Sequence, residues 1–561
     1  MITIFLAGLV VGILLLSDTT TGPMQIFDSQ PTGGGIYREG LVGNIQRLNP
    51  LLSWYNDVDR DVCSLIYSSL VTHDTRGNIV KDLAVDYGIS MDGMTYNFAI
   101  NPEAKWHDGQ PVTADDVIFT YETLKKGEGY LPTDLINFWQ NVQINPVDEH
   151  TVQFVLQEPF SPFMDYLSFG ILPRHVFSGM SFNEMADSKI NIQPIGSGPF
   201  RLKSLIQDGD TITGLELEAN RQYYGKKPYL DEVHFLYYED STLAYQAYQQ
   251  DRIDGISYIS NDVLKPVLAD ETMSLYTTRL PIMSMVFFNL DNKDVAFFQD
   301  QKVRSALMQG LNRSKIANNI LEGQAIIAHS PILYGNWAYF PEIPHIEYDT
   351  YKAIETLKMA GFTLANEQDR VRSKEGITLN FTMLYPDDET HRRIAESIAA
   401  DWAQINVLVN LEAVPYQDLT NIRLADRDYQ AALVDINLSD FPDPDPYPFW
   451  DQTQISSGQN FTQWNDRTIS QYLETGRVEV DRAERERLYK NFQILFMEQL
   501  PALPIYTPVY NYPVTSKVSG ISIGPLYSTS DRFLNITDWY MVSRSAAMNE
   551  EISEESEIIE Q

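Results

Sequence analysis

Cysteine occurs once in this chain of 561 residues, at Cys63. A single thiol excludes an intrachain disulfide and any metal site built from several cysteines. Cys63 sits in the apolar run Val62-Cys63-Ser64-Leu65-Ile66-Tyr67, which points to a small buried side chain rather than a reactive one. Positive charge is scarce as well: 41 Lys and Arg stand against 76 Asp and Glu, a formal net charge of −35. Such a surface repels phosphate backbones, whose binding depends on basic groups displacing counterions, and it repels anionic lipid headgroups. Nucleic acid is excluded as a partner, and a neutral or cationic small ligand is expected.

Catalytic signatures are missing too. The chain contains no H-E-x-x-H and no phosphate-cradling G-x-x-x-x-G-K-[ST]. Its eight histidines are scattered singly. His107 lies beside a carboxylate in Trp106-His107-Asp108-Gly109, but the Asp-Gly pair reads as a tight connection between a strand and a helix. No repeat of about 20 to 50 residues is visible, which argues against a solenoid or propeller.

Basic residues are absent from the N-terminus, the first being Arg38. Ile2 to Leu16 carries no charge, and Ser17-Asp18-Thr19-Thr20-Thr21 ends the run. Its length suits the core of a signal peptide or a membrane anchor. Residues 1–16 are therefore expected to direct export, with residues 17–34 as a linker rich in Thr, Pro and Gly. No cysteine follows the run to carry a lipid. Residues 541–561 are expected to form an acidic, solvated tail, because Asn549 to Gln561 is dominated by glutamate and holds no basic residue.

What is present suits a large α/β protein. Hydrophobic residues make up 43% of the chain, enough for several cores. At ~150 residues per domain the length suggests three to four. Thr95 to Ile100 places Tyr96, Phe98 and Ile100 on one face, the period-two sign of a half-buried strand. A helix is expected from Thr113, with Asp115 and Asp116 at its positive end and Val117, Ile118, Tyr121 and Leu124 as its stripe. A second runs from Asp349 to Gly361. Ile377, Leu379, Phe381 and Met383 alternate as a strand. Ile394, Ile398, Trp402 and Ile405 then recur as a helix, and Val407 to Ala413 alternate again. Tyr429 to Ile436 makes another strand. Strand, helix, strand is the grammar of an α/β layer.

An acidic run at Asp435, Asp440, Asp443, Asp445 and Asp451 follows that last strand. It lacks the turn glycine and closing glutamate of a calcium loop, so no metal is assigned to it. Prolines at 442, 444, 446 and 448 are expected to stiffen an extended loop. Such a loop would hold a carboxylate at the lip of a cleft, where a partly desolvated anion favours an ammonium group. Trp450 and Trp464 read as core.

Several stretches, in order, resemble one known family. They are Leu48-Asn49-Pro50; Val62 to Asp74; Gly77 to Ala84; and Asp92-Gly93-Met94-Thr95-Tyr96-Asn97-Phe98, which runs into Trp106-His107-Asp108-Gly109-Gln110-Pro111-Val112-Thr113-Ala114-Asp115-Asp116-Val117. Gly196-Ser197-Gly198-Pro199-Phe200, Asn220-Arg221, Tyr223-Tyr224-Gly225, Leu230-Asp231, Val303 to Leu307 and Asp440 to Asp445 follow. Each is weak alone; their order and spacing are specific. The chain resembles the extracytoplasmic solute-binding proteins of family 5, the oligopeptide-, dipeptide- and nickel-binding type that serves ABC importers.

The resemblance implies a two-lobed clamshell of the periplasmic-binding-protein type, class II, with an extra subdomain and two hinge crossovers. The first lobe would comprise residues 35–72, 195–282 and 506–540, with a subdomain at 73–194. The second would be the insert 283–505, entered near Pro281 and left near Pro504. The implied function is non-enzymatic: capture of oligopeptides outside the cytoplasm and delivery to a membrane permease powered by cytoplasmic ATPases. No cofactor is implied, and a monomer is expected. Asp440 matches the aspartate that holds the peptide α-amino group. Ile436, Asn437, Leu438 and Ser439 match the strand beside the ligand, although the family's Gly-Trp pair is replaced by Ile436-Asn437. Trp54, Tyr55 and Asn56 match the facing loop, and Tyr506 lies at the return crossing. A nickel complex, an oligosaccharide, a hydrolase using paired carboxylates and a surface sensor stay open as alternatives.

Overall fold

A computed structural model describes residues 33–366, 368–438 and 441–542. The expected export segment, almost all of the linker, nearly all of the acidic tail, and Ser439 and Asp440 lie outside the described residues. Two large hydrophobic cores organise the rest. One gathers side chains from Tyr37 to Phe235 and from Tyr510 to Trp539; the other gathers Met283 to Tyr506. A small third cluster, around Ala244, Ile256 and Val263, completes the first side. Apolar side chains gather into two cores because one core of this size could not keep its interior dry and close-packed. The result is a two-lobed α/β clamshell.

A 12-stranded mixed sheet runs through both lobes. Its second-lobe end has the order Leu408–Val414, Asn380–Pro386, Ala431–Asn437, Ile282–Phe288. The long strand Ala502–Thr515 comes next, followed by Gly255–Ile256, Ile36–Val42, Glu232–Tyr238, Thr211–Ala219 and Phe200–Asp208. Asn380–Pro386 runs parallel to Leu408–Val414 across the helix Glu389–Ala403. That helix buries Ile394, Ile398 and Trp402, and the Trp402 indole N–H donates to the Leu307 carbonyl at 2.8 Å.

The long strand joins the lobes. Its first half pairs with Ile282–Phe288, from Phe287 opposite Ala502 to Ser284 opposite Tyr506. Its second half pairs with Met273–Arg279, from Arg279 opposite Val509 to Met273 opposite Thr515. The partner changes at Leu280-Pro281. Proline cannot donate to a ladder, so the break falls where the sequence removes an N–H.

Residues 84–155 contribute a separate layer, a four-stranded antiparallel sheet of Ala84–Ile89, Thr95–Ile100, Thr151–Val155 and Gln143–Asp148. Tyr96, Phe98 and Ile100 all face inward. The helix Ala114–Leu124 packs on it, with Asp116 Oδ2 accepting from the Thr113 N–H at 2.9 Å, and Tyr121 stacks on Trp139 at 4.3 Å. The helix Thr350–Met359 is capped by Asp349 and stopped at Gly361, whose φ of +90° favours glycine.

Two local expectations need correction. The alternation from Ile377 is not one strand: Ile377–Thr378 pairs in a hairpin with Ser373–Lys374, leaving Ile377 53% exposed, and a new strand starts at Asn380. Glu375-Gly376, both at positive φ, supply the hairpin turn. The proline-rich stretch after Phe441 is bent rather than extended, and Tyr447–Trp450 forms one helical turn beginning at Pro446. Proline's fixed φ suits a first helical turn as well as an extended chain.

Candidate functional site

Where the lobes meet, a cavity of ≈ 720 Å³ opens mainly against the first lobe. Trp54, in the turn before the helix Asp57–Ile66, lines it and stacks on Phe169 at 5.6 Å. Phe169 follows the 3₁₀ turn Ser161–Leu167, which is tied down by buried Phe163 and Leu167. Phe441 reaches the same cavity from the second lobe and stacks on Tyr166, with centroids 5.1 Å apart. Three aromatic side chains therefore meet at one wall, two from the first lobe and one from the second. His73, Asp82 and Asp531 supply charge elsewhere on the lining.

Asp82 accepts from the Ser69 N–H at 2.8 Å and from the Tyr224 hydroxyl, and burial holds its carboxyl above the usual range. Cys63 also borders the cavity, but burial pushes its thiol well up, so it stays protonated and unreactive. His107 does structural work. Its Nδ1 accepts from the Gly196 N–H and its Nε2 contacts the Gly198 carbonyl, both at 3.2 Å. Accepting at Nδ1 leaves Nε2 as the donor, a neutral ring, and burial takes its pKa down to about 4.

The expected site residues fall in several places. Ile436, 8% exposed, pairs with Met283, and Asn437 pairs with Ile282 at the end of the strand. The Leu438 N–H donates to the Pro281 carbonyl at 3.1 Å, placing that residue beside the chain crossing. Leu438 also borders a small apolar recess with Pro444, Phe449 and Trp450. Tyr55 is 73% exposed. Asn56 is the N-cap of Asp57–Ile66, its Oδ1 accepting from the Val58 N–H at 3.0 Å. Tyr506 is 4% exposed, within the second core and opposite Ser284. Trp450 and Trp464 belong to that core as well.

The acidic run is largely paired. Asp443 makes a bidentate pair with Arg485, at 2.6 and 2.9 Å, and Asp445 pairs with Arg477 at 2.8 Å. Asp435 contacts His391 Nε2 at 3.1 Å, while His391 Nδ1 contacts Asp388 at 2.6 Å. Asp451 caps the turn at Thr453. Sequence reasoning missed Phe169, Tyr166, Asp165 and both arginines, since none is marked by a local motif. Elsewhere, Glu216, Glu232 and His234 converge on the outer sheet face, with ligand atoms within 4.8 Å of one another. The Lys203 ammonium already sits there, 2.7 Å from Glu232 and 3.8 Å from Glu216.

Among the described residues no helix is long and apolar enough to cross a membrane. The chain is 26% identical over 523 residues to the oligopeptide-binding protein AppA of Bacillus subtilis, covering 91% of this chain and 92% of that one. It is 26% identical over 482 residues to the dipeptide-binding protein of Escherichia coli, covering 80% and 84%. The fold matches the structure of HbpA2 from Haemophilus parasuis with a TM-score of 0.80 at 21% identity, over 91% of this chain and 100% of the other. The profile of bacterial extracellular solute-binding proteins, family 5 Middle, matches residues 78–458. The chain thus belongs to the family 5 bacterial extracellular solute-binding proteins.

Proposed function

We propose that this protein captures oligopeptides outside the cytoplasmic membrane and delivers them to the permease of an ABC importer. The supporting observation is the cavity of ≈ 720 Å³ at the lobe boundary, bordered by Trp54 and Phe169 on one side and Phe441 on the other. That volume falls within the ~300–1,000 Å³ of small-ligand pockets. The crossings at Leu280-Pro281 and around Tyr506 act as the hinge, and the first lobe with its 73–194 layer closes on the insert. Closure then needs contacts that exist only in the shut state.

In this reading Asp440 pairs with the peptide α-ammonium, and Ile436 to Ser439 run beside its main chain. Trp54 packs against its side chains. Tyr55, Asn56 and Tyr506 shape the surroundings rather than touching the solute. The protein is exported through residues 1–16, acts as a monomer and makes or breaks no bond.

Calorimetry with trialanine and N-acetyl-trialanine tests the proposal, alongside mass spectrometry of what co-purifies. The free peptide binds, and either acetylation or Asp440→Asn weakens it about 100-fold, as expected for a desolvated charge pair worth about 3 kcal/mol. Unchanged affinity in Asp440→Asn removes that residue from the site. A co-purifying metal complex or sugar, with no peptide affinity, removes the peptide assignment.

A further inference from the structure

A buried carboxylate of one lobe meets the backbone of an acidic residue of the other across the seam between them. Asp165 lies on the turn Ser161–Leu167 of the first lobe, and Asp443 lies on the proline-rich bend of the second. The Asp443 N–H donates to Asp165 Oδ1 at 3.3 Å, and both residues are only 6% exposed. Phe441 on Tyr166 and the Ser161 hydroxyl on the Glu479 carbonyl extend the same seam.

The charges around Asp165 are unevenly matched. On the second lobe, Arg485 is committed to Asp443 and also donates to Tyr489, while Arg477 is committed to Asp445. On the first lobe, His73 Nε2 lies 3.5 Å from Asp531, and Asp74 follows it in the chain. Tyr527 packs edge-on to His73 and lies under Arg279, and Tyr166 neighbours Asp165 directly. Among the described residues no ion pair ends on Asp165. Burial first, and then the Asp443 charge, raise its carboxyl to about 7, against weaker pulls from His73, the Asp443 N–H and Arg485. If the second lobe moved away, Asp165 would regain water and lose the Asp443 charge, the two largest causes that raise it, together with the Asp443 N–H and Arg485, each a smaller cause that lowers it.

We propose that Asp165 makes lobe closure a proton-linked step: docking of the Asp443 bend onto Asp165 takes up a proton from solvent. The sign follows from the closed state holding that proton more tightly than the open one. Closure gains as pH falls through the closed-state value and is fully aided below the open-state value, in the ordinary carboxylate range. Above about 7 Asp165 is ionised in both states, and closure is least favoured. The link belongs to the lobes and not to whichever solute lies between them.

Lobe separation in the full, ligand-free chain can be followed by energy transfer between dyes placed through Met91→Cys and Met359→Cys. Both positions are exposed, whereas Cys63 is buried. The closure equilibrium is expected to shift up to tenfold per pH unit between about pH 5.5 and 7, and to level off above. Asp165→Asn should hold the closed-side signal throughout, and Asp165→Ser repeats the test with a smaller side chain. His73→Asn should keep a pH response, displaced to higher pH because the pull of His73 on Asp165 is gone. A flat wild-type curve, a wild-type response in both Asp165 variants, or its loss in His73→Asn overturns the proposal.

Discussion

Phe441 of the second lobe lies over Tyr166 of the first, with ring planes 27° apart, and also meets Phe169 edge-on at 6.3 Å. The pair is an apolar contact that a closing motion would make or break. Aromatic pairs add about 0.5–1.5 kcal/mol beyond the area they bury. Phe441→Ala should therefore weaken binding of trialanine by roughly 2- to 10-fold, read by calorimetry. The unfolding midpoint should move less than for a core side chain, because Phe441 is only partly buried and packs on the outside of the first core.

Arg532 should behave oppositely, as a stability residue with no part in binding. Its guanidinium is fully buried, with Nη1 and Nη2 each 2.7 Å from an Asp61 oxygen and Nη2 2.6 Å from Glu39. Tyr37 and Tyr512 also donate to Glu39. Removing the cation strands two buried carboxylates, so Arg532→Met should cost about 3–5 kcal/mol in urea-induced unfolding.

Gly196 tolerates no side chain. A Cβ there would lie 1.9 Å from the Ile66 carbonyl oxygen, so Gly196→Ala must displace backbone and should cost more than about 4 kcal/mol. His107→Ala, which removes only the hydrogen bonds that hold this turn, should cost about 1–3 kcal/mol. Unfolding curves of the two variants separate steric need from hydrogen bonding.

His391 gives the fold a pH dependence of its own. Burial lowers its pKa, but the hydrogen bonds and charges of Asp435 and Asp388 outweigh that and hold it above the ordinary histidine value. The folded pKa is raised, so the protonated ring stabilises the fold below its unfolded value. That contribution is lost as pH rises through the folded value. His391→Asn should cost about 1–2 kcal/mol near pH 5.5 and much less near pH 9, measured by denaturant titration at both.

The elements were legible wherever one face of a segment decides its fate. Tyr96, Phe98 and Ile100 alternate in sequence and are all buried; Ile394, Ile398 and Trp402 recur at helical spacing and fill the second core. Leu408 to Val414 reads equally well but forms the sheet's edge, with Leu408 44% exposed, because alternation reports a strand and not its neighbours. Charge partners distant in sequence were not legible. Asp443 lies 42 positions from Arg485, and Asp165 lies 278 from Asp443. No local pattern marks such pairs before the chain has folded. Tyr55 shows the same limit, an aromatic whose neighbour Trp54 packs while it points to solvent.

Ser284 and Tyr506 sit opposite each other on adjacent strands, so the insert begins and ends about 5 Å apart, one interstrand spacing. Close entry and exit points are what exchange of the segment between them as one cassette requires. Exchanging it between relatives would replace one jaw of the clamp while the receiving scaffold keeps its own splice points, and ligand preference could diverge by wholesale transplant rather than by residue-by-residue change.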